Sequence, residues 1–250
     1  MRLKIHYSLI IILIALFFTP YLKLYLFLYL FLILHELGHL YFLKKFKFQV
    51  ESITLYPFGG FILYDNLKNT CLKEELLINS SGIIINIIIY IIFKKLTIDS
   101  YLLYFCKIMI LFNLLPIYPL DGFRIYQNIL SYVFSYKFVL KITSIISMIS
   151  LGIFIIYFIM NFNFQMILMG IIFLFDNIKY YQAKSMNYNA FLLNKYLFPK
   201  NLKKHYLSDN IPLDEYFFKG KNNDYYSDIK YLNEQKILHK RFHHFLNKNG

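Results

Sequence analysis

Residues 32–43 read LILHELGHLYFL. Apart from His35, Glu36 and His39, the stretch consists of residues that suit hydrocarbon. An imidazole or carboxylate surrounded by lipid is costly, so three such groups within five residues need one common explanation. On a helix, His35 and His39 stand at i and i+4 on one face, with Cβ atoms about 5–6 Å apart. Two imidazoles so placed can hold one Zn²⁺ at about 2.0–2.1 Å. Glu36, beside the first histidine, can take a proton from the attacking water. Gly38 carries no side chain, so substrate or another helix can come close. Interhelical hydrogen bonding would explain a lone histidine, whereas one metal explains all three groups.

The surrounding chain is built for a membrane. Of its 250 residues, 58% are hydrophobic and 16% charged, against about 25% charged in soluble domains. The net charge is +13. Nucleic acid is not the reading: the lysines and arginines gather at the ends of apolar runs, where they fix topology and meet anionic lipid. Cys71 and Cys106 form no metal-ligand spacing and are read as unpaired thiols of a reducing compartment. The basic, then apolar, N-terminus lacks a small-residue cleavage site and is expected to be a retained span.

With about 20 apolar residues needed per crossing, six spans are expected, near residues 5–20, 24–43, 75–93, 98–116, 137–160 and 162–178. The fold class expected is therefore an all-α polytopic membrane protein. Between the second and third spans, strand-forming residues alternate with period two from Phe46 to Tyr56. Two short strands are expected, joined by a turn at Pro57-Phe58-Gly59-Gly60. The stretch LDGFRIYQNILSYVFSYKF suits a surface helix with Arg124 at the interface. Lysine and arginine predominate on the side holding both termini, so these, and the active-site end of the second span, are expected to be cytoplasmic. Two regions are expected: 1–180 as the transmembrane unit and 181–250 as a basic cytoplasmic tail. Within the tail, NEQKILHKRFHHFL suits an amphipathic helix whose histidines have no carboxylate or cysteine at ligand spacing.

A hydrolytic zinc site takes three protein ligands and leaves one position open. Of the carboxylates near the cytoplasmic span ends (Glu74, Glu75, Asp121, Asp176), Asp121 stands out. It follows FNLLPIYPL, in which Pro116 and Pro119 break the helix, and it precedes Gly122. Asn113 and Asn86 are amides within apolar runs and need partners. Each suits either an interhelical bond or a donor to substrate or oxyanion. NSSG at 79–82 suits small-residue helix packing.

HELGH in a span, followed by NLLPIYPLDG, resembles the site-2 protease family of intramembrane zinc metalloproteases. Asn113, Pro116, Pro119, Asp121 and Gly122 fit its aspartate-bearing segment residue by residue. PFGG at 57–60 is similar to its membrane-associated β-loop, with Gly59 and Gly60 facing substrate. SSGIIIN at 80–86 is similar to its small-residue helix, with Ile83 where the family has proline. The resemblance covers about residues 1–180. It implies one zinc per chain held by His35, His39 and Asp121, with Glu36 as base. Asn113, Pro119, Gly59, Gly60 and Asn86 would serve substrate or oxyanion.

Six spans without a PDZ insertion are similar to the stage IV sporulation protein FB group. That likeness implies a membrane-associated sigma-factor precursor as substrate and membrane-embedded inhibitory or regulatory partners. No complete CBS domain, typical of that group, is expected in the tail. An anti-sigma factor, a signal-peptide remnant, a metal permease and an inactive membrane scaffold are the alternatives. The sequence does not give the oligomeric state.

Overall fold

The computed structural model describes residues 2–56, 59–64, 71–199, 204–207, 217–219, 221–226 and 231–246. Pro57 and Phe58 of the expected turn lie outside them. The chain divides into two compact units, Met1–Asn66 with Leu76–Leu115, and Leu67–Glu75 with Pro116–Gly250.

The first unit opens with strand β1 (Arg2–Ile5) and helix α1 (Tyr7–Phe17). Where the first span is expected, the helix is shorter. The 11 residues of α1 rise about 16 Å, short of a bilayer core of about 30 Å. The residues before it extend because they find a ladder: β1 pairs in parallel with β2 (Val50–Tyr56), Leu3 opposite Ile53. His6 then accepts from the Ser8 amide and caps α1. β3 (Gly59–Tyr64) pairs antiparallel with β2, so the expected hairpin becomes two strands of a sheet ordered β1-β2-β3. The anticipated extended stretch from Phe46 begins later, because α2 (Leu22–Lys45) runs on and Phe46 closes it. Leu43, Phe48 and Ile78 form a small core against which Ile62 and Tyr64 pack, anchoring the hairpin to its neighbouring helices.

Helices α2 and α3 (Leu72–Lys95) carry the site. On α2, Phe31, His35 and Gly38 are buried at spacings of four and three, one face of a helix. α3 is patterned inside out. Ser81, Gly82 and Asn86 are buried while Ile84, Ile87, Ile88, Ile91 and Ile92 are exposed, as suits a helix whose outer surface meets lipid. Ile83 in place of proline leaves α3 unbroken. α4 (Ser100–Asn113) has 14 residues.

In the second unit, residues 116–120 lead into α5 (Asp121–Leu130), followed by α6 (Tyr136–Met160) and α7 (Phe164–Leu197). α7 continues well past the expected end of the sixth span and crosses residue 180 without a break. α6 and α7 pack closely: a Cβ on Gly170 would lie 2.7 Å from Ile155 Cγ1. Strands β4 (Lys204–Leu207), β5 (Asn222–Tyr226) and β6 (Tyr231–Leu232) make a second small sheet, and α8 (Glu234–Leu246) is the expected tail helix. The Lys195 ammonium is buried on α7, where it donates to both Glu234 oxygens and the Lys221 carbonyl. Burial pushes its pKa below the usual lysine value, and Glu234 opposes that shift.

Among the described residues, α2, α3 and α6 are long and apolar enough to cross a membrane; α1 and α4 are shorter apolar helices. Three crossings, not six, meet that measure.

Candidate metal centre

Within the first unit, the histidines of α2 meet α3. The Nε2 atoms of His35 and His39 lie 3.1 Å apart. Behind them the rings are held from α3. His39 Nδ1 lies 2.7 Å from the Ile78 carbonyl oxygen, which only accepts, so Nδ1 carries the proton and Nε2 is left bare. Ser81 Oγ, 3.3 Å from the same Nδ1, donates to that carbonyl too.

His35 Nδ1 lies 3.1 Å from the Asn86 amide. Asn86 is fully buried, and its Oδ1 has no partner among the described residues. Turning the amide so that Oδ1 faces Nδ1 satisfies that oxygen and leaves His35 Nε2 bare as well. Two Nε2 atoms facing each other in this way suit one shared metal ion. Bound tetrahedrally at about 2.0–2.1 Å, they would sit about 3.3 Å apart, close to the separation seen.

The gap is kept open by Gly82. A Cβ there would lie 2.4 Å from His39 Nε2 and 2.6 Å from His35 Nε2. Gly38, by contrast, is where the two helices touch: its Cβ would meet the Ser81 carbonyl oxygen at 3.0 Å and Ile85 Cδ1 at 2.9 Å. Of the two roles open to Gly38, the structure selects helix contact over substrate approach.

Glu36 is half-buried beside the two histidines and turns toward the sheet. The Gly60 amide donates to its Oε1 at 3.2 Å. A Cβ on Gly60 would lie 2.9 Å from Glu36 Cγ, whereas one on Gly59 would meet nothing within 4 Å. The two glycines of PFGG thus differ: Gly60 touches the Glu36 carboxylate and Gly59 does not.

The remaining candidates fall as follows. Asn86, one of the residues expected at substrate or oxyanion, lies fully buried behind His35, on the face of α3 turned toward α2. Asn113 ends α4 and donates to the Met109 carbonyl of its own helix at 3.1 Å. Pro119 follows Tyr118 through a cis peptide bond. Asp121, in the second unit, does not lie in irregular chain but opens α5, where a carboxylate suits the positive end of the helix.

A histidine pair with an adjacent carboxylate on an apolar helix, its rings oriented from a neighbouring helix, is the architecture of a metallopeptidase centre. Residues 23–97 match Peptidase family M50. A zinc metalloprotease of Methanocaldococcus jannaschii is 37% identical over 115 residues, 42% of this chain and 33% of that protein. Stage IV sporulation protein FB of Bacillus subtilis is 30% identical over 130 residues, 49% of this chain and 45% of that protein. The solved site-2 protease of Methanocaldococcus jannaschii superposes with a TM-score of 0.54 at 28% identity, covering 72% of this chain and 90% of that one. The match to Peptidase family M50 thus lies over α2, the β2–β3 hairpin and α3, the fold is that of the site-2 protease, and one of the similar proteins is a zinc metalloprotease. It spans between a third and a half of the length of the two curated relatives.

Proposed function

We propose that the chain is an intramembrane zinc endopeptidase that cleaves a membrane-associated protein near the cytoplasmic face. The observation that carries this reading is the pair of Nε2 atoms facing each other 3.1 Å apart, with the Glu36 carboxylate on the same helix. Asp121 is the third ligand. With His35 and His39 it offers two imidazole nitrogens and one carboxylate oxygen, the donor chemistry of hydrolytic zinc sites.

Zinc bound there supplies Lewis acidity toward the attacking water and the scissile carbonyl. Glu36 takes the water proton on its carboxylate and delivers it to the leaving amide nitrogen. The Gly60 N–H holds that carboxylate in place. Asn86 and the Ile78 carbonyl keep both imidazoles in the tautomer that frees Nε2. Asn113, at the end of α4, exchanges its bond to Met109 for one to the oxyanion. Pro119 shapes the approach to Asp121, and Gly59 leaves room beside β3. A helical substrate must be extended before its peptide bond can be attacked. The outer edge of β3 has no strand partner among the described residues and suits an added substrate strand.

The finer reading is a sigma-factor precursor processed in sporulation, supported by the similarity to stage IV sporulation protein FB. Both termini on the cytoplasmic side and six membrane-embedded segments, with α1, α4 and the first half of α7 joining the three long helices, complete it. Residues 1–180 form the protease region and 181–250 the basic tail. The lysine and arginine distribution supports the orientation.

The test is co-expression with a membrane-associated sigma-factor precursor. The wild-type chain is expected to shorten it and to purify with one zinc. Glu36→Gln is expected to lower cleavage about a thousandfold or more while zinc stays bound. Cleavage persisting in that variant would refute the mechanism, and wild-type protein free of zinc would point to a scaffold.

A further inference from the structure

The segment before Asp121 poses a backbone problem. Non-helical chain at membrane depth is tolerated only where its N–H and C=O groups find partners, and Pro116 and Pro119 bring no N–H of their own. The Leu120 amide turns back to the Ile117 carbonyl at 2.8 Å. Tyr118 is served from outside. Its N–H donates to Ser147 Oγ on α6 at 2.9 Å, and its carbonyl accepts from Asn177 Nδ2 on α7 at 2.8 Å. Ser147 Oγ in turn donates to Asn177 Oδ1, closing a ring. The second Nδ2 hydrogen goes to the Phe173 carbonyl at 2.9 Å. The amide orientation is therefore determined by its partners, since a flip would set Oδ1 against two carbonyls. Ser147 is fully buried and Asn177 nearly so.

The same segment is gripped by its rings. Tyr118 stacks on Tyr180 of α7 at 4.6 Å, and Phe123 of α5 packs edge-on against both. Gln127 of α5 donates to the Tyr180 hydroxyl at 2.7 Å. Three residues past Tyr118, the chain reaches Asp121 at the first position of α5.

We infer that Ser147 and Asn177 are positioning residues for Asp121: together they act as a two-side-chain strand that fixes the Tyr118 peptide groups and so the carboxylate beyond them. This rests on the proposal that Asp121 is a zinc ligand. A ligand at the first position of a helix is only as well placed as the irregular chain that leads into it, unless that chain is locked. The ring supplies that lock from the α6–α7 pair.

The experiment measures zinc affinity of the full-length, detergent-purified chain by chelator competition, together with the melting temperature of the zinc-free form. Asn177→Ala is expected to weaken zinc binding about tenfold, as loss of outer-shell support does. Ser147→Ala removes one oxygen and is expected to weaken it in the same direction. Combined with Asp121→Ala, neither substitution should weaken binding further, because the carboxylate that the ring positions is gone. A general structural role would add its full loss in both backgrounds. That additivity, or wild-type affinity in Ser147→Ala, would overturn the inference. Should Asn177→Ala not fold, the Ser147→Ala cycle carries the test alone. If Asp121→Ala binds zinc as tightly as wild type, the ligand assignment itself falls and the inference with it; a loss in Asp121→Ala with none in the ring variants overturns the inference alone.

Discussion

Two glycines press backbone against the candidate centre, Gly82 of α3 against the histidine Nε2 atoms and Gly60 of β3 beside Glu36. They do so against different kinds of group. A Cβ on Gly82 would reach ring nitrogens at 2.4 and 2.6 Å. The rings cannot turn away, since each is tied through Nδ1 to α3. A Cβ on Gly60 would reach Glu36 Cγ and Cδ at 2.9 and 3.0 Å, atoms of a side chain with rotatable bonds. The contrast matches the two tasks. Metal ligands need fixed geometry, and the two histidines are held from the buried face of α3. A base must take a proton from one partner and give it to another, so one adjustable hydrogen bond from a strand suffices.

The largest effect that would sharpen this contrast is at Gly82. Gly82→Ala places a methyl group between the two Nε2 atoms, on backbone that is part of a packed helix. Zinc content, measured on purified protein by elemental analysis, is expected to fall from one per chain to near none, with cleavage lost in parallel. Full zinc occupancy in this variant would show that α3 can withdraw from the histidines and would break the comparison on its rigid side.

Asn86 comes next. Asn86→Ala frees His35 Nδ1 from its partner and is expected to weaken zinc binding about 10- to 100-fold, read by chelator competition. The residual cleavage should recover when zinc is raised, since Glu36 and the open position remain. If cleavage fell while affinity held, Asn86 would act on substrate and not through His35.

The part of this centre carried by local spacing was readable from the chain. HELGH at i and i+4 gave the histidine face, and period-two alternation gave β2 and β3. What stayed hidden depends on residues far apart in sequence. Gly82 sits in NSSG, a string that suits any helix contact, and nothing local shows that its missing Cβ faces nitrogen atoms some forty residues earlier. Asn86 is an amide in an isoleucine run, and its partner lies 51 residues away. β1 was unreadable for a related reason. Arg2–Ile5 extends only because β2 offers it a ladder, and read alone it merges with the apolar run of α1. Ser147 and Asn177 carried no signal at all, since a serine and an asparagine in membrane helices mark any interhelical bond.

The smallest expected effect lies at Gly60, and it probes the adjustable side. Alanine there suits a strand better than glycine does, and Gly60 has no positive φ, so folding is expected to hold. The new methyl group would push Glu36 Cγ by a few tenths of an ångström and lengthen the 3.2 Å bond from the Gly60 amide. Because the glutamate can rotate, cleavage is expected to fall only about three- to tenfold, a fraction of what a full ångström of misplacement costs. Zinc affinity should be unchanged, because His35 and His39 are held from α3. Gly59→Ala is the matched control: its Cβ meets nothing within 4 Å, and cleavage should stay at the wild-type rate. A Gly60→Ala loss as complete as that of Gly82→Ala would mean that Glu36 is held as rigidly as the ligands, and the division between a fixed metal side and an adjustable proton side would fail.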